Sequence, residues 1–266
     1  MLYLMKRFFI FCSLFFIAGS HLFAQGEIDQ QGKVFYRNEE SIAILLNSNG
    51  FGLSGRYAKR INAADKTVYD LDFVILKHPK EVKQPSQINP NATSFVYGKQ
   101  YIAFNLRPGI GKQKEIFRKF DAGGISVRKY YTFGPSLAIL KPIYYDVEYY
   151  LPGSHSYEEK TEKFSTNISQ QGGIKGRASF FKGFDELMFT PGAYAKLGVS
   201  FEYSKQDLII HSIDAGIIAE GFVKKLPIMA TQENNQFYLT LFVSYRLGKV
   251  IDPNAVKKKT KPEDFF

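Results

Sequence analysis

The chain has 266 residues, a formal charge of +10, one cysteine and no tryptophan. That length supports one large domain, and a lone cysteine excludes an internal disulfide framework and a thiolate metal cluster. An aromatic content of 16%, all Phe and Tyr, is high for a water-soluble domain and ordinary for a barrel with aromatic girdles.

The chain opens with Lys6 and Arg7, then an apolar run from Phe8 to Ala18 and small residues up to Ala24. A basic patch, a short apolar core and a small-residue junction predict a signal peptide over 1–24. The run is shorter than the ~20 residues a bilayer-spanning helix needs. Cleavage removes Lys6, Arg7 and Cys12, leaving a mature chain of charge +8 without a thiol. Residues 25–40 then read as a periplasmic segment. The basic balance of an exported chain points to anionic lipid headgroups and lipopolysaccharide phosphates as counter-charges, with no nucleic acid.

From residue 41 the pattern has period two. The stretch 41–47 carries Ile42, Ile44 and Leu46 on one face. Phe51, Leu53 and Tyr57 then oppose Ser54, Arg56 and Arg60, and Tyr69, Leu71, Phe73 and Ile75 oppose Asp70 and Asp72. Ile102, Phe104, Leu106 and Ile110 oppose Asn105 and Arg107; Val127, Tyr131, Phe133, Leu137 and Ile139 oppose Ser126, Arg128, Thr132 and Ser136. Leu197, Val199 and Phe201 alternate with Lys196, Ser200 and Glu202, and Ile213 and Ile217 with Asp214 and Glu220. The last segment, "FYLTLFVSYRLGK" at 237–249, sets Leu239, Leu241, Val243 and Leu247 against Thr240, Ser244 and Arg246.

Eight strands result: 41–47, 51–61, 67–78, 99–118, 125–149, 189–203, 208–222 and 237–249. The connections "NAADK", "FDAGG" and "SKQD" are tight, whereas 79–98, 150–188 and 223–236 are long. Alternating short and long connections fit an outer-membrane barrel with short periplasmic turns and longer outer loops. A soluble sandwich would alternate too, but its second face would meet water. The reading is therefore an all-β, closed antiparallel transmembrane β-barrel over 41–249, with ten strands as the alternative count. An even count leaves both termini in the periplasm of a Gram-negative outer membrane.

On this reading Leu197, Val199, Phe201, Ile213, Ile217, Leu239, Leu241, Val243 and Leu247 face lipid. The lumen holds Arg56, Arg60, Arg107, Arg128, Lys196 and Arg246 against Asp70, Asp72, Glu202, Asp214 and Glu220. Eight strands enclose a space that side chains fill, and unpaired charges there are costly. These groups are expected to interlock as a structural polar plug, neither a conduction path nor a catalytic set.

Three motifs invite chemistry. "GFGLSG", Gly50–Gly55, matches a dinucleotide fingerprint, but a strand follows where that fingerprint needs a helix. Ser179 and Lys182 match S-x-x-K, a spacing that is catalytic only on a helix. Beyond the leader the histidines are His78, His155 and His211; none stands with an acid and a serine at catalytic spacing, although His155 follows Ser154. Metal-ligand spacing is absent, so no cofactor is expected. Loop 79–98 reads as exposed. The aromatic "SFFKGF" of the longest loop reads as folded back on the barrel rim or, as the alternative, as a partner contact. The basic tail 250–266, with Lys257, Lys258, Lys259 and Lys261, reads as disordered periplasmic chain or a contact for lipid or protein; Phe266 lies too far past strand eight to be its last residue.

The "FAQ" junction, "GAYAKLGVSFEYSK" and "FYLTLFVSYRLGK" together resemble small outer-membrane β-barrels of Bacteroidota, in the OmpA/OmpX-like and PorT-like group. The resemblance covers most of 41–249. It implies an outer-membrane barrel and, through group members that serve secretion or barrel-assembly machines, protein partners in an outer-membrane complex. It carries over no catalytic residue. The expected role is a non-enzymatic structural or accessory subunit; the alternatives are an outer-leaflet lipid-modifying enzyme and a narrow solute channel.

Overall fold

The computed structural model describes residues 38–86, 94–119, 124–151, 153, 156–165, 168, 172–204 and 208–251. The expected signal peptide, most of the segment after it, the Ser154–His155 pair and the basic tail beyond Ile251 lie outside the described residues; Val250 and Ile251 of the expected tail belong to the last strand.

In chain order the strands are β1 (Asn38–Asn47), β2 (Gly50–Arg60), β3 (Asp65–Leu76), β4 (Lys83–Gln84), β5 (Phe95–Val96), β6 (Tyr101–Phe117), β7 (Ser126–Pro142), β8 (Tyr144–Leu151), β9 (Ser156–Lys163), β10 (Gly172–Arg177), β11 (Met188–Glu202), β12 (Ile209–Phe222) and β13 (Phe237–Ile251). Eight of them close a barrel in the order β1-β13-β12-β11-β7-β6-β3-β2. Each neighbour pair is antiparallel, and the seam joins Asn38 to Ile251.

The register shows how the strands slant. A row of paired residues runs from Leu106 through Phe73, Leu53, Ile44, Tyr245, Ile213, Phe201 and Val127 and returns to β6 at Phe117. That is eleven residues further along the same strand, one of them absorbed by the irregularity between Glu115 and Phe117. A stagger of about ten residues around eight strands corresponds to a tilt of ~40°.

Burial follows the period-two pattern and inverts that of a soluble protein. In β13, Tyr238, Thr240, Phe242, Ser244 and Arg246 are buried, while Phe237, Leu239, Leu241, Val243, Tyr245 and Leu247 are exposed. Glycine serves the narrow lumen at two places. A Cβ on Gly198 would lie 2.6 Å from the Tyr130 ring, and one on Gly109 would land on the Tyr194 hydroxyl, so each tyrosine crosses the lumen over a bare backbone.

Three expectations are corrected. The single strand expected over 125–149 breaks at Ile143. Pro142 has no N–H for the ladder, its partner strand β6 begins opposite it at Tyr101, and the Ile143 amide donates instead to Gln100 O at 2.8 Å. The chain then leaves the barrel as β8. The expected loop 150–188 contains β9 and β10, which flank β8 in a three-stranded sheet beyond the barrel wall. Loop 79–98 is not simply exposed: β4 pairs with β5, and Phe95 is buried with Ile102, Ile143, Tyr145, Val147, Phe164, Ile168 and Ile174 under that sheet.

Candidate functional site

The lumen is where the charged residues converge. Among the described residues it buries Arg56, Lys66, Arg107, Arg128, Lys196 and Arg246 against Glu39, Asp70, Asp72, Glu202, Asp214 and Glu220, six of each sign. Inward positions on facing strands bring them together, and three tiers stack along the axis.

At the end where the chain enters and leaves, Glu39 is shared by Lys66 and Arg128. Arg128 also pairs with Glu202, whose other oxygen takes the Lys119 ammonium at 2.9 Å. In the middle tier Arg56 grips Asp70 with two hydrogen bonds of 2.7 and 2.8 Å and lies 4.0 Å from the Tyr130 ring centre. Arg246 donates to Asp214 at 3.0 Å and to the Ser41 and Ser54 hydroxyls, while Lys196 donates to Asp72 at 2.8 Å. Nearest the loops, Arg107 donates twice to Glu220, at 3.0 and 2.7 Å, and Asn105 donates to the same carboxylate at 2.7 Å. Paired in this way, the buried charges escape the several kcal/mol each would cost alone.

Arg60 does not join them. As the last residue of β2 it reaches the mouth, where its guanidinium donates to the Asn62 and Ala63 carbonyls of the turn. Glu39 and Lys66 take part instead, and both lie just before the strand starts expected at 41 and 67. Running the alternation back one step from Ser41 and from Val68 would have found them.

Around and beyond the Arg107–Glu220 tier the loop side of the lumen is filled by apolar side chains, where only polar ones are expected from the sequence. Leu45, Val74, Leu76, Ala138, Leu140, Ile218, Phe222 and Phe242 meet Leu226, Ile228 and Met229 from the connection between β12 and β13. That connection folds over the opening as a cap. The Gln100 amide donates to Ile228 O at 2.9 Å, and Lys99 bridges to Met229. His78 fastens it from the other side. Its Nδ1 accepts the Lys80 amide at 3.2 Å, so its Nε2–H donates to Glu233 O at 3.0 Å. Lys99 donates to Glu81 at 2.6 Å, although burial pulls its pKa below the ordinary lysine value.

Outside, all nine residues read as lipid-facing point away from the lumen, Val199 half-buried and the others exposed. Tyr57, Tyr69, Tyr131 and Tyr245 are also exposed on this face. With ~3.3 Å per residue, ~4.8 Å between strands and a ~40° tilt, these four lie within about 5 Å of one height near the terminal end.

Among the described residues the tempting motifs make no reactive arrangement. Gly50–Gly55 is β2. Ser179 and Lys182 close a turn through Lys182 N and Ser179 O at 3.2 Å, and the Lys182 carbonyl accepts from Lys141 at 2.8 Å. His211 sits outside the lumen with Nδ1 3.2 Å from the Tyr245 hydroxyl. No cluster of three or more His, Cys, Asp or Glu is placed to hold a metal among the described residues.

No family model matches this chain, and no curated protein matches its sequence. Among solved structures it is similar to Neisserial surface protein A, at 14% identity and TM-score 0.36, covering 80% of this chain and 96% of that one. It is also similar to Ail, the attachment invasion locus protein of Yersinia pestis. The structure of Ail with the heparin analogue sucrose octasulfate gives 8% identity and TM-score 0.38, over 81% and 97% of the two chains; that of Ail alone gives 7% and 0.37 over the same shares. The description as a closed eight-stranded barrel rests on the strand pairing of this chain itself.

Proposed function

We infer that this protein is a non-enzymatic barrel of a Gram-negative outer membrane, serving as a structural or accessory subunit of an envelope complex. The observation that carries the membrane reading is the outer wall, where Ile44, Leu53, Leu71, Phe133, Leu197, Leu239 and Leu241 stand exposed together above a belt of tyrosines. A wall of this kind is stable against hydrocarbon and invites aggregation in water. Asn38 and Ile251, the first and last described residues of the barrel, lie at the end with the short turns, and on the usual pattern of such barrels that end faces the periplasm.

The filled lumen supports a role other than transport. Six cations neutralise six anions within it, and an apolar cap covers the loop side. The sheet of β8, β9 and β10 rises beyond the wall and, among the described residues, has β9 and β10 as its edge strands, which supply contact surfaces for a protein partner. The grouping with PorT-like accessory barrels of Bacteroidota belongs to this proposal. Purification of the native protein from its own membrane in mild detergent is expected to bring down partners in fixed stoichiometry. Recovery of the barrel alone under several detergents would refute the accessory role, and steady conductance in a planar bilayer would refute the plugged lumen.

A further inference from the structure

On β6 and β7 three lysines cluster on the outer wall. Lys112 and Lys114 of β6 and Lys129 of β7 all point outward and are exposed. Lys114 and Lys129 are direct cross-strand partners, and Lys112 is the partner of Tyr131. Like charges placed opposite one another destabilise a sheet. Among the described residues no carboxylate reaches ion-pair distance of any of the three. The nearest in register, Asp65 opposite Lys114, is held by Asn62 at 2.9 Å.

Beside the lysines the wall is hollowed. A groove of about 580 Å³ runs over Tyr131, Leu197, Val199, Ala215 and Ile217, with the three lysines and Asp65 at its edge. The hollow forms because Ala215, paired with Val199, presents only a methyl group between Ile213 and Ile217. A volume of this size suits a lipid-sized ligand. The slant of the strands orders the parts vertically. At ~40° tilt and ~3.3 Å per residue the lysines lie level with the tyrosine belt or a few Å to its terminal side, and the apolar bed lies about 5–10 Å deeper toward the loops.

We propose that this groove binds an anionic phospholipid of the leaflet nearest Asn38 and Ile251. The phosphate lies among Lys112, Lys114 and Lys129, and an acyl chain lies along Leu197, Val199, Ala215 and Ile217. Charge at the headgroup level and an apolar bed deeper in the membrane match that molecule in polarity and direction. A soluble phosphate would leave the bed empty. The inference rests on the membrane reading above.

The test uses the full mature chain inserted in bilayers of phosphatidylglycerol and phosphatidylethanolamine, followed by native mass spectrometry in mild detergent. Preferential retention of phosphatidylglycerol is expected. Replacing all three lysines (K112Q, K114Q, K129Q) is expected to weaken it roughly 100-fold, about a factor of five per lysine near the membrane surface. Ala215→Phe, which fills the groove from outside with every lysine intact, is expected to weaken it as well. Lys59→Gln with Lys249→Gln, exposed outward lysines on other strands near the same end, is expected to leave it unchanged. Equal retention of both lipids, or undiminished retention by the triple variant, would overturn the site while leaving the membrane reading intact. A chain that never enters the bilayer would overturn both.

Discussion

Lys196 Nζ lies 2.8 Å from Asp72 Oδ2 and 3.5 Å from Asp70 Oδ2, and none of the three side chains has any exposed surface. Through Asp70 this contact joins the Arg56 clamp to Asp72, so one ammonium holds two carboxylates in a space closed to bulk water. Lys196→Met is expected to cost ~3–5 kcal/mol, because it leaves Asp72 charged and without its cation. The double variant Lys196→Met with Asp72→Leu removes both charges and is expected to recover most of that loss. Urea midpoints of the barrel in lipid vesicles give the comparison.

Position along the outer wall decides what a charge costs there. Leu241 lies near the middle of the belt and Leu247 near its terminal edge, six residues apart on β13. Leu241→Arg is expected to destabilise the inserted barrel by ~2–4 kcal/mol and Leu247→Arg by ~0–1 kcal/mol. Equal costs, measured by reversible folding into vesicles, would place the belt elsewhere.

How much of this was legible in sequence depended on the range over which residues interact. The strands could be read because alternation is local: Phe237 to Leu247 states its two faces within one segment. The register was not written there, so the convergence of Arg107 with Glu220, 113 residues apart, emerged only from closure. The break at Ile143 went unread because Tyr145 and Val147 continue the period beyond Pro142. What differs is the partner strand, which a single segment cannot declare. Leu226 and Ile228 looked like ordinary loop residues because an isolated pair of apolar side chains has no period.

That cap should behave as part of the core. Leu226 is fully buried, and Leu226→Ala is expected to cost ~2–5 kcal/mol in equilibrium unfolding. Planar bilayers containing this variant should stay silent, because the Arg107–Glu220 tier beneath it still fills the lumen. A conducting variant would show that the apolar cap alone is the seal.

The sheet beyond the wall hangs on Tyr145, whose one hydroxyl hydrogen is shared between Lys99 O at 2.7 Å and Val96 O at 3.0 Å. Tyr145→Phe is expected to cost the sheet ~1–3 kcal/mol and to speed amide exchange in β8 while leaving β13 unchanged. Burial also pushes the Tyr145 phenol up from the ordinary tyrosine value. A raised acid favours the folded sheet fully below the unfolded value of about 10 and loses that contribution as pH climbs toward the folded value. Methyl signals of Val147 should therefore report a sheet that weakens above about pH 10 in the parent and shows no such step in Tyr145→Phe.

The seam between Asn38 and Ile251 has a consequence for biogenesis. β1 finds its second neighbour in β13, the last of the eight barrel strands in chain order, so the polypeptide through Ile251 must exist before the cylinder can shut. Until then two ribbons of unsatisfied amides and carbonyls stand open, each able to capture a foreign strand. Loss of β13 by premature termination would therefore yield a sticky, unclosed sheet, a species for chaperones to hold or proteases to clear.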